Sequence, residues 1–275
     1  MSPRAGESTP SPGAGEGKLR LGGMALRNGL LVHGPTHWAA AVRARDGSVR
    51  RASGPKPRVR GLERVPGARG LARLAEALAV IPLVKRALPE ARLPFQDPAV
   101  LGVAAGAAAA GSALRRRGAG IAGEAASAAV SLVPALFALR GGELASYHGV
   151  EHKAIAAYEQ DADDAAVAAK EHDRCGSNLV APMLAANLAG AALMRSVLER
   201  PGPLASTAVA LSSLAAAVEV FAWSERHAET RTARALRRPG FELQRVLGTR
   251  EPDEHQLEVG RAALEEVLRA EGVAT

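Results

Sequence analysis

The chain has 275 residues and 47% hydrophobic content, long enough for a substantial core, yet only 3% of it is aromatic. Its apolar residues are chiefly Ala, Val and Leu, which favours helices over a β-sandwich or barrel. The formal charge of +7 suits either nucleic acid or an anionic membrane leaflet, and a single cysteine excludes an internal disulfide framework.

Residues 1–19 are rich in Ser, Pro, Gly and Glu and read as a disordered lead, with no signal-peptide pattern. Residues 20–97 read as a small β unit followed by an amphipathic helix. Apolar runs alternate with glycines from Leu21 to Pro35, and His37–Arg43 and Val49–Ala52 flank Asp46-Gly47, the signature of a two-residue hairpin turn. In the helix, Leu71, Leu74, Ala75, Leu78 and Ile81 recur at helical spacing, opposite Arg73, Glu76 and Ala77. That helix can lie on a membrane surface or pack on the β unit.

Residues 98–230 contain four apolar stretches, Pro98–Leu114, Gly118–Leu139, Leu179–Leu198 and Pro203–Trp223, each about as long as a bilayer crossing requires. Small residues such as Gly102, Gly106 and Gly111 would allow close helix approach, which tips the balance from a soluble bundle toward a membrane bundle. Four full crossings would put both basic tails and the intervening His-containing loop (147–178) on one side, the cytoplasm. Arg115–Arg117 oppose that count, and the first two stretches could instead form a partial, hairpin-like insertion. Residues 231–275 read as a basic connector and a soluble amphipathic helix, with Leu257, Val259, Ala262, Leu264, Val267 and Leu268 inward. Glu258, Arg261, Glu265, Glu266 and Arg269 are expected outward. The fold expected is mainly α: a polytopic helical membrane bundle with a small N-terminal β unit and a C-terminal amphipathic helix.

Chemistry concentrates in Tyr147-His148-Gly149-Val150-Glu151-His152-Lys153 and, after an acidic linker, His172-Asp173-Arg174-Cys175-Gly176. Four residues apart on a helix, His148 and His152 can grip one metal ion, and Glu151 beside them can act as general base. This is the H-x-x-E-H pattern of inverted zincins, although Gly149 weakens the helix expectation. A further ligand can come from His172, Cys175 or Glu219, an acid deep in an apolar run that could equally pair with Arg195. All four of His148, His152, His172 and Cys175 would make a closed, structural site, whereas Glu219 would make an open, hydrolytic one. Lys153 and Arg174 could hold a substrate phosphate or carboxylate, or face lipid headgroups. The basic residues are scattered without an aromatic stacking surface, which argues against nucleic acid.

At these residues the chain resembles the DUF1385, or YqhQ-like, family of bacterial membrane proteins, described as predicted metal-dependent enzymes. The resemblance runs from Gly22 to Leu268 in four blocks. They are Gly22–Ala25 to His33-Gly34-Pro35; Arg69-Gly70-Leu71; Tyr147–Lys153 with Tyr158-Glu159 and Arg174–Ser177; and Leu243-Gln244-Arg245 to Asp253 with Leu257-Glu258-Val259. Arg27, Asn28 and Asp173 depart from the pattern, where Met, Glu and Pro are usual. The resemblance implies a multi-helix membrane protein with a polar site built from these blocks, and an acid in the last membrane helix, where Glu219 falls. The function expected is a membrane-embedded, metal-dependent hydrolase acting on an amphiphilic or membrane-associated substrate, with a divalent metal, Zn²⁺ by preference. A non-enzymatic scaffold with a structural metal or hydrogen-bond cluster is the rival. A transporter lined by Glu124, Arg195 and Glu219 is the third option.

Overall fold

The computed structural model describes residues 18–59, 61, 67–116, 120–140, 142–162, 164–198 and 202–273. Most of the expected disordered lead lies outside them. Lys18 and Leu19, included in that lead, are instead docked: the Lys18 ammonium donates to the carbonyls of Tyr158 (2.6 Å) and Glu159 (3.1 Å), and the Leu19 N–H donates to the Tyr158 hydroxyl. A cation there satisfies carbonyls that a helix end leaves unpaired.

Strands β1 (Gly22–Leu26), β2 (Gly29–His33), β3 (His37–Arg43) and β4 (Val49–Pro55) form an antiparallel meander in that order. The expected two-residue turn is longer. The Ala44 N–H donates to the Ser48 carbonyl, leaving three residues at the tip, because the Asp46 carboxylate accepts from both the Ser48 N–H and its hydroxyl. Alternate side chains point to opposite faces of a strand, and here both faces are covered. Leu30, Val32, Ala39 and Ala41 meet helices α5 (Glu143–Gln160) and α9 (Glu254–Glu271), while Leu31, Trp38, Ala40 and Val42 meet Val80 and Val84 of helix α1 (Ala68–Ala87).

Helix α1 therefore packs on the sheet, but not through the expected stripe. Ala72, Glu76, Val80 and Val84 are buried, and Leu74 and Leu78 are exposed. Glu76 lies inward because its carboxylate accepts the Val59 N–H at 2.7 Å. In α9 the same kind of correction applies to Glu266, which is buried and accepts from the Ser53 hydroxyl at 2.6 Å. The helix is otherwise as read, opened by an Asp253/Gln256 capping box and closed by Gly272 in the left-handed conformation.

The remaining helices are α2 (Pro98–Arg116), α3 (Gly120–Ser131), α4 (Val133–Leu139), α6 (Val180–Val197), α7 (Pro203–Arg226) and α8 (Arg231–Leu243). Four helical segments, 98–116, 120–139, 176–197 and 204–226, are long and apolar enough to cross a membrane. They pack as two hairpins, α2 on α3–α4 and α6 on α7, joined through α3 and α6. Glu124 of α3 pairs with Arg195 of α6 at 3.6 Å, so the charges inside these segments answer each other. Glu219 of α7 accepts the Gly67 N–H at 3.0 Å instead, holding the start of α1.

Candidate functional site

The His/Glu segment is an 18-residue helix, α5, that packs on β1 and β2 beside α9. Gly149 does not interrupt it. A Cβ there would sit 2.3 Å from the Arg250 carbonyl oxygen, so the glycine admits the chain that follows α8 against the helix. Leu144, His148, Glu151, His152 and Ile155, spaced along one face, line a cavity of about 420 Å³. Its other walls come from β1, from His33 at the end of β2, and from His172, Arg174, Cys175 and Ser177.

Two backbone carbonyls orient the two imidazoles. His148 Nδ1 lies 2.8 Å from the Gly248 oxygen, and His152 Nδ1 lies 2.6 Å from the Lys170 oxygen. A carbonyl only accepts, so each ring carries its proton on Nδ1 and leaves the Nε2 lone pair free. The Cys175 thiol lies 3.3 Å from His148 Nε2, and His152 Nε2 is buried without a hydrogen-bond partner. One donor atom from each of His148, His152 and Cys175 falls within 4.8 Å of the others, a group able to hold a metal ion. An orphaned buried lone pair inside a His/His/Cys set is what a borderline-soft cation such as Zn²⁺ would satisfy.

Burial dominates the acid–base chemistry. It pushes the Glu151 carboxyl up to about 7, partly opposed by His148, and raises the Cys175 thiol to about 11. It also holds His152 well below the ordinary imidazole value, with neighbouring His148 adding to the effect. Glu151 has its place because a Cβ on Gly23 of β1 would lie 2.8–2.9 Å from its Cγ, Cδ and Oε1. The bare backbone of β1 thus forms the wall beside the carboxyl.

The other expected site residues are placed differently. His172 lines the cavity, but its Nδ1 accepts the Arg174 N–H (3.2 Å) and its Nε2 faces Glu159 Oε2 (3.3 Å). Arg174 also binds Glu159, so its charge is answered. Lys153 is buried away from this cavity, donating to the carbonyls of Ala166 (2.8 Å) and Ala168 (2.6 Å) and pairing with Glu251 at 3.1 Å. Among the described residues, neither Glu219 nor His172 joins the metal-capable group. Gly22, Gly23 and His33, from the first block of the resemblance, line the cavity, and adjacent glycines in a strand signal such close approach.

Residues 143–270 match the family model described as a protein of unknown function, DUF1385. Through this segment, a little under half of the chain, the protein is similar to the DUF1385 family. The family segment opens at the first residue of α5 and ends within α9, so it contains the whole His148/His152/Cys175 group and Glu151. The sheet residues that wall the cavity precede it. No curated protein and no solved structure matches the chain.

Proposed function

We propose that this protein is a membrane-embedded, metal-dependent hydrolase whose divalent cation, Zn²⁺ by its donor set, is held by His148, His152 and Cys175. The observation that carries the reading is the convergence of those three donors, with an orphaned Nε2, on a cavity shared with buried Glu151. Three protein ligands are the number that leaves a coordination position open. A bound cation would supply Lewis acidity to a substrate carbonyl or phosphoryl oxygen. Glu151, with its carboxyl near neutrality, can take up and return a proton at one of its oxygens. The Gly248 and Lys170 carbonyls keep both imidazoles aimed inward, and Cys175 must lose its proton on metal binding. Membrane placement rests on the four long apolar segments and on the apolar surface they expose, such as Leu101, Leu193, Leu204 and Leu211.

Elemental analysis of detergent-purified protein tests this reading. Wild type and Glu151→Gln should carry about one metal per chain, and His148→Ala and His152→Ala should carry little. Equal metal content across all four would remove the proposal. A non-enzymatic scaffold remains the second reading, favoured by the way the same imidazoles tie α5 to the Lys170 and Gly248 backbone. In that case added metal would raise the melting temperature, but no small chelating ligand would bind the loaded protein.

A further inference from the structure

A second cavity of about 350 Å³ adjoins the first, and Pro94 and Leu144 line both. It lies at the start of α2 and the end of α4, where Val100, Phe137 and Ala138 form its apolar wall. These are the ends of two of the four segments long enough to cross a membrane. Leu139, the last residue of α4, and Gly176, which opens a third such segment, line the metal-capable cavity itself. The two cavities thus share a wall at Pro94 and Leu144, one lying at the His148/His152/Cys175 group and the other at the level where the apolar helices begin.

The charges around this space are mostly answered within the protein. At the second cavity Arg27 pairs with Asp97 at 2.7 Å and approaches Glu143 at 3.9 Å, while the Arg140 guanidinium lies over the Phe137 ring at 5.8 Å. In the first cavity Arg174 is held by Glu159, and Lys153 points elsewhere. Among the described residues a dianionic headgroup would therefore find no uncommitted cation beside the metal-capable group, whereas a neutral oxygen-bearing headgroup needs none. Leu21, Met24, Leu139, Leu144 and Ile155 make much of the remaining wall apolar.

We propose that the site takes a single-chain amphiphile with a neutral, oxygen-bearing headgroup. The headgroup sits at His148, His152 and Cys175, and the alkyl chain lies in the second cavity, reached from the bilayer between the ends of α2 and α4. This inference rests on the metal reading above. It names the substrate class of that site, and its geometry selects against small, fully polar metabolites, which would leave the second cavity unfilled.

The test uses Zn²⁺-loaded full-length protein in lipid nanodiscs, titrated calorimetrically with acetohydroxamic and octanohydroxamic acids, with empty nanodiscs as reference. Each buried methylene contributes about fourfold in affinity, so even partial burial of the longer chain predicts binding at least about 30-fold tighter. Val100→Trp, which fills the second cavity, should abolish most of that gain while leaving metal content and acetohydroxamate affinity unchanged. Ala99→Trp, at the same cavity, serves if Val100→Trp does not fold. Equal affinity for the two hydroxamates, or a gain that survives the filled cavity, overturns the inference but leaves the metal reading standing. Wild type that binds no metal overturns both.

Discussion

Gly149→Ala separates helix propensity from tertiary fit. Glycine inside a helix costs about 1 kcal/mol relative to alanine, so propensity alone predicts that the substitution stabilises α5. The structure reverses the sign. The added Cβ would lie 2.3 Å from the Arg250 carbonyl oxygen, where ordinary contact begins at 3.4 Å. That carbonyl cannot simply withdraw, because the Arg250 N–H donates to Ala145 at 3.0 Å and the Thr249 N–H donates to Gln244 at 2.9 Å. Overpacking costs about 1–3 kcal/mol, and one or two weakened hydrogen bonds cost about 1 kcal/mol each. After the propensity gain is subtracted, a net loss of about 2 kcal/mol remains, or a melting temperature lower by about 4–8 °C. The Gly248 carbonyl that orients His148 belongs to the same turn, so metal content should fall as well. Thermal unfolding in detergent provides the assay, with Gly106→Ala as control, since a Cβ there meets nothing within 4 Å. A Gly149→Ala protein as stable as wild type, or more so, would refute the close approach.

Two further outcomes follow from buried ionisable groups. The Glu151 carboxyl titrates at about 7 in the folded chain against 4.5 as a model acid, so the native state retains a proton that the unfolded chain gives up. In metal-stripped protein the contribution of this group to stability should therefore be greatest below about pH 4.5 and fall by about 3 kcal/mol as pH rises toward 7, while the lowered His152 works in the opposite direction. Glu151→Gln should remove that slope, and an unchanged slope in chemical denaturation would show that Glu151 is not buried as described. Lys153→Met should cost about 2–3 kcal/mol, because the Ala166 and Ala168 carbonyls lose their donor, while metal content stays at the wild-type level. Loss of metal with unchanged stability would instead place Lys153 in the site.

Much of the architecture was legible in the chain. The glycine-punctuated apolar run Leu30-Leu31-Val32, the Asp46-Gly47 hairpin and the periodicity of α9 are local patterns, and local patterns report secondary structure directly. The four apolar segments were equally plain, because length and hydropathy are properties of sequence. The His148/Glu151/His152 face was legible for the same reason, being set by helical spacing alone.

What the sequence could not rank was the third donor. His172, Cys175 and Glu219 were equivalent as residue types, and the choice among them depends on where separate segments return. Cys175 comes to His148 because the 170–178 stretch folds back along α5, while His172 is taken by Glu159 and Glu219 accepts from Gly67. The same holds for Glu76 and Glu266, charged residues turned inward where they accept from the Val59 N–H and from the Ser53 hydroxyl and Arg269 guanidinium. Spacing along one helix determined which side chains share a face. Only the tertiary structure decided which of them meet a partner, because a buried polar group takes its place from a complementary donor or acceptor supplied by a distant part of the chain.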